Sequence, residues 1–253
     1  MDLIKSQSKK SVATYAFRVF LELSFVAVVL LSIIFLHQPI VAVALVLLYK
    51  WRIFFVRPRF WWANILSNLT DVIFGLSIVA IICYAPNLWV QIAFAAIYAL
   101  WNIFLKPKSK HGYVAAQAAI SQFFGIWALS TVAHTLWLPI VVLGCFVIGF
   151  SVMRHVLMDY EEDSRTLLAM IWGVILAEVG FFAFHWTLSY DILGVVLVPQ
   201  VAILDVCLGA IFYVVYDSYK RNEGAPKWED IRWPVVFSTL LITVISVIFS
   251  GLF

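Results

Sequence analysis

Charged residues are scarce. Asp, Glu, Lys and Arg make up 12% of the 253 residues, against about 25% in an ordinary soluble domain. With 64% of the chain hydrophobic, a water-soluble core is excluded and the sequence reads as an integral membrane protein. Long hydrophilic stretches are missing too. The longest polar segment is 217–232, too short to fold alone, so one membrane domain over 1–253 is expected. Cysteine is rare: Cys83, Cys145 and Cys207 lie inside apolar runs with no CxxC spacing. That excludes a disulfide framework and a thiolate metal site. No small-x-small cleavage site follows the first apolar run, so Lys5, Lys9 and Lys10 lead into an uncleaved first span and not a signal peptide. The net charge of +3 is spread over short loops, which gives no surface for nucleic acid.

What is present is a succession of apolar runs, each near the roughly 20 residues that cross a bilayer. Nine spans are expected, at 14–36, 39–57, 63–84, 88–105, 112–133, 137–158, 166–188, 192–217 and 234–253. They would form an all-α polytopic transmembrane helical bundle of four hairpins plus a C-terminal helix. If the N-terminus is cytoplasmic and the spans alternate, all 17 Lys and Arg fall at or towards the cytoplasmic side, as the positive-inside rule requires. The expected location is a cell (inner or plasma) membrane, N-terminus inside and C-terminus outside. Trp51, Trp61, Trp62, Trp89, Trp137, Trp186 and Trp233 fall near span ends, as an aromatic belt would. The basic residues and tryptophans of 50–62 should meet the cytoplasmic headgroups and favour anionic lipid, by about 1 kcal/mol per basic residue.

The second span is free of charge only over 39–49, about 17 Å of helix. The charge rule still makes it cross, with Lys50 and Arg52 in its inner half. A faint repeat of 48 residues relates Ala85-Pro-Asn-Leu-Trp89 to Ala133-His-Thr-Leu-Trp137, of the kind seen in duplicated transporter hairpins.

Polar chemistry is confined to a few positions. Asn64, Asn68, Asp71 and Gly75 share one face of the third span, and lipid cannot satisfy such a strip. Counted inwards from either surface, Lys50 and Asp71 reach similar depth, which makes Lys50 a candidate counter-ion. Glu178 and Asp205 lie near the centres of the seventh and eighth spans. Joined by the short turn Ser189-Tyr190-Asp191, they should line one cavity, staggered by about one helical turn. Asp205 falls in a seam of small residues with Ala202 and Gly209, and so should face protein. Pro199 should kink the eighth span, and the freed carbonyl, Gln200 and Asp205 would then form an oxygen-rich pocket. His185 shares a face with Glu178 and has a side chain suited to a proton step. Glu22 is expected to pair with Arg18, one turn earlier.

The run Glu161-Glu162-Asp163-Ser164-Arg165 with Phe181-x-x-x-His185 resembles the CAAX-type intramembrane proteases. That resemblance implies a glutamate pair one residue further from its arginine and another downstream histidine, and neither is present. No nucleophile, metal-ligand cluster or phosphate-binding motif accompanies the acids, and no cofactor is expected. An unpaired buried carboxylate takes a proton or binds a cation. The expectation is therefore a small proton- or cation-coupled transporter or channel for a small solute or ion, acting through mid-membrane carboxylates. The alternatives are a membrane-embedded enzyme acting on lipid and a structural subunit.

Overall fold

The computed structural model describes residues 2–55, 57–185, 188–192 and 194–248. Trp186 and Phe253 lie outside the described residues, as do the side chains of Lys5, Lys9, Lys10 and Arg52.

The described chain is a helical bundle: α1 (Asp2–Leu36), α2 (Pro39–Tyr49), α3 (Trp61–Tyr84), α4 (Leu88–Leu100), α5 (His111–Val132), α6 (Leu138–Asp159), α7 (Arg165–His185), α8 (Gln200–Arg221) and α9 (Trp228–Ile248). Two prolines stand at helix starts, where a missing N–H costs nothing. Pro39 opens α2 and Pro139 lies in the first turn of α6. Seven helices among the described residues are long and apolar enough to cross a membrane. Their outward surfaces carry exposed Phe17, Phe20, Phe35, Leu143, Phe182 and Phe237, a covering compatible with a membrane protein and not with water.

The two helices outside those seven have separate causes. α2 is 11 residues long and stops at Tyr49, where charge begins, and a 3-10 segment, Trp51–Phe55, follows it. α5 has 22 residues but falls short in apolarity. It runs through the middle of the bundle, against α3, α6 and α8. Neighbouring helices cover it, so Gln117, Ser121 and Gln122 can be buried on it. α7 lies mainly on α6, and α9 on α8. Backbones meet closely at the first of these seams, where a Cβ on Gly149 would stand 3.1 Å from the Cα of Gly173. Phe74, Ile78, Ile82, Ile126, Leu157 and Leu176 fill the core.

Two helices start elsewhere than expected. The eighth span does not begin at 192. A β-hairpin precedes α8, with β1 (Ser189–Ile192) paired antiparallel with β2 (Val196–Pro199). Ile192, Val196 and Val198 are β-branched and suit strands, and Gly194 turns the chain at φ +68°. Trp127 Nε1 anchors the hairpin by donating to the Leu197 carbonyl at 2.9 Å. Pro199 is therefore the N-cap of α8 and kinks nothing, so the pocket of a freed carbonyl, Gln200 and Asp205 does not form. The ninth helix starts at Trp228, not 234, and carries Pro234 inside it. Glu229 and Asp230 in its first turn suit the positive end of a helix.

Candidate functional site

The polar strip on α3 points into the bundle. Asn68 Nδ2 donates to the Asn64 carbonyl at 2.9 Å. One turn further in, Asp71 is met from two other helices. Lys50, the C-cap of α2, pairs with Asp71 Oδ2. Trp101 Nε1 donates to Oδ1 at 2.8 Å, and Lys106 Nζ stands 3.5 Å from Oδ2. Only 12% of the Lys50 side chain and 18% of that of Asp71 are exposed, so the pair is largely withdrawn from solvent. Gly75 continues the strip, and its missing side chain leaves room for Tyr98, whose hydroxyl would lie 2.8 Å from a Cβ there.

Trp101 and Lys106 reach the same acid because α4 ends in a π turn, Trp101–Leu105. In an α-helix five steps of about 100° would leave them some 140° apart. The π turn closes a hydrogen bond from Lys106 N to the Trp101 carbonyl, at 2.9 Å, and returns both to one face. Phe74 stacks on Trp101 with centroids 4.0 Å apart and fixes its ring. Gln117 of α5 holds the end of the turn by donating to the carbonyls of Leu105 (2.7 Å) and Lys108 (2.9 Å). Its Oε1 lies 2.9 Å from His155 Nε2 on α6. Beside these groups is a cavity of about 340 Å³, with Arg18, Asn68, Asp71, Lys106, Gln117 and His155 on its walls.

Behind the lysines sits a second acid. Glu22 does not pair with Arg18: its Oε1 accepts the Tyr49 hydroxyl at 2.6 Å, and it is buried. Tyr49 stacks on Phe25, and Lys106 Nζ lies 4.7 Å from the centre of its ring.

The other expected residues are dispersed. Asp205 is fully buried, as its small-residue seam implied, and neither carboxylate oxygen has a hydrogen-bond partner. Its own backbone carbonyl accepts from Gln122 Nε2 at 2.7 Å, and Trp172 Nε1 donates to Gln122 Oε1 at 3.3 Å. Asp205 lines none of the described cavities. Glu178 is exposed on the outer side of α7, beside exposed Ile175, Phe181 and Phe182. The expected cavity shared by Glu178 and Asp205 is thus absent among the described residues, because α7 turns this acid outward. His185 is exposed too, and its Nδ1 lies 2.9 Å from the Phe181 carbonyl of its own helix. Gln200 Nε2 donates to the Ile245 carbonyl at 2.9 Å, tying α8 to α9.

A second network ties helix ends together near the same face. His111 at the start of α5 lies between Asp159 and Asp217, 3.3 Å from the latter. Tyr160 donates to Asp217 at 2.8 Å. Burial, then that carboxylate, pushes the Tyr160 hydroxyl above its ordinary pKa. Glu162 pairs with Lys220 and accepts the Tyr216 hydroxyl, and these two hold its carboxyl down from the ordinary 4.5 to about 2.

Sequence reasoning singled out Lys50 and Asp71 but missed Trp101, Lys106, Glu22, Tyr49 and His155. Helical spacing places Trp101 and Lys106 on different faces, so only the π turn reveals them. No family model matches the chain, and neither does any curated protein or solved structure.

Proposed function

We propose that this chain is a small proton- or cation-coupled transporter or channel of a cell membrane, and that its coupling group is Asp71. In this reading the membrane is crossed nine times, α2 and α5 included, with the basic ends cytoplasmic and the C-terminus outside. The observation that carries the proposal is the pairing at Asp71: one carboxylate faces two lysine ammonium groups beside a polar cavity. A fixed structural ion pair needs one cation. A second cation 3.5 Å away offers an alternative arrangement, in which Lys106 takes over the acid from Lys50.

A proton or metal cation arriving through the cavity competes with the lysines for Oδ2. When it binds, an ammonium is released. The elements that carry the lysines, the end of α2 and the π turn of α4, are short and irregular, and they are where the change is felt first. Asp205 lies deeper in the bundle and meets water or an ion only if α5 and α8 separate. Glu178 and His185, which face outward, take no part.

The test is flux in proteoliposomes of the purified chain. An imposed potential should drive proton or sodium entry, read by an internal indicator dye, and Asp71→Asn should reduce it to the level of empty liposomes. Wild-type flux no greater than that of empty liposomes would favour a structural subunit instead.

A further inference from the structure

The cavity beside Asp71 holds more cation than acid. Lys50 and Trp101 occupy the two oxygens of Asp71, and the buried Glu22 takes the Tyr49 hydroxyl on one oxygen while its other oxygen has no hydrogen-bond partner, so the two acids stand against three cations, Lys50, Lys106 and Arg18. Besides the Tyr49 ring at 4.7 Å, Lys106 has contacts of 3.5 Å to Asp71 and 3.4 Å to Asn102, longer than the roughly 2.7–2.9 Å of a saturated charged hydrogen bond. Arg18, on α1, also lines the cavity, and among the described residues it has no acidic partner. The neutral donors of the wall are committed: Asn68 to Asn64, Thr70 to the Ser151 carbonyl, Gln117 to Leu105 and Lys108. What remains available is an arginine fork and an ammonium, facing a space of about 340 Å³. We infer that this cavity binds a phosphate group, held between Arg18 and Lys106.

The chemistry favours phosphate over a halide. A guanidinium matches a pair of phosphate oxygens in plane, and a lysine adds a point charge to a third. The volume exceeds several times the roughly 30 Å³ share of a water, so a tetrahedral oxyanion enters with room for water. The phosphate has two possible sources. It is free in the aqueous phase, or it belongs to an anionic lipid, since Arg18 is exposed where it lines the cavity. The site stands on its own geometry. That the phosphate is cargo rests on the transport reading.

The experiment follows thermal unfolding of the full chain in nanodiscs. In neutral phosphatidylcholine, inorganic phosphate should raise Tm where chloride at equal ionic strength does not. If the source is lipid, free phosphate is silent and phosphatidylglycerol raises Tm instead. Either result supports the site. Arg18→Gln changes an exposed residue and leaves the core untouched. It should weaken the response roughly tenfold, as loss of one charge-assisted bond requires, and Lys106→Gln should do the same. A Tm unmoved by both sources, or moved equally by chloride, or a response unchanged in Arg18→Gln, overturns the inference. No gradient is needed, so the two readings fail separately: lost flux with an intact phosphate response sinks transport alone, and intact flux with no response sinks the phosphate site alone.

Discussion

Asp71 is held from three directions, and its partners are not equivalent. Lys50 and Trp101 bind it directly, while Lys106 waits at 3.5 Å. Orphaning a buried charge costs about 3–5 kcal/mol. Lys50→Met should cost well under that, because Lys106 needs to move only a fraction of an ångström to replace it. The double variant Lys50→Met, Lys106→Met should cost the full amount. Unfolding in mixed micelles measures both, and single-variant costs that simply add would contradict a shared partner. Glu162 makes a prediction in pH. Lys220, then Tyr216, lowers its carboxyl from 4.5 to about 2. A depressed folded-state value stabilises the fold above the unfolded value and loses that contribution as pH falls through the folded one. The Tm difference between wild type and Glu162→Gln should therefore be full at neutral pH and shrink between 4.5 and about 2. A difference constant across that window would assign the effect to packing.

At the scale of elements, close helix packing and local irregularity do different work. α6 and α7 approach at Gly149 and Gly173, and a Cβ on Gly173 would lie 2.9 Å from the Phe146 carbonyl. Backbone cannot swing aside as a side chain does, so Gly173→Ala should cost about 1–3 kcal/mol as overpacking. Gly112→Ala, with nothing within 4 Å, is the control and should unfold like wild type. What was legible in the sequence follows the same division. The α3 strip and the Ala202/Asp205/Gly209 seam were readable because regular helices repeat every 3.6 residues. The depth match of Lys50 and Asp71 was readable because helical rise is constant. The π turn broke the first regularity and hid Trp101 and Lys106. The hairpin of β1 and β2 broke the second: its β-branched valines continue an apolar run, so hydropathy alone merged it with α8. Glu178 failed for another reason. A mid-span acid is expected to face inward, and this one is exposed on α7.

For the molecule as a whole, Lys50, Lys106, His111, Glu162 and Lys220 gather at the helix ends of one face. The opposite face carries the hairpin and the short turns before α4 and α6. Trp89 and Trp137 are each 80% exposed there, and Trp51, Trp62 and Trp233 are exposed at the basic ends, which is where interfacial anchors belong. Reporter fusions after Lys110, Arg165 and Lys220 should report cytoplasm, and fusions after Gln38 and Asn87 the outside. One basic loop reporting outside would overturn the nine-span topology. The coupling role of Asp71 is tested most directly by transient current on a solid-supported membrane, comparing wild type with Asp71→Asn and Glu178→Gln after a pH or sodium jump. Wild type should give a current that Asp71→Asn abolishes and Glu178→Gln leaves intact. A current that survives Asp71→Asn and disappears in Glu178→Gln would contradict that role.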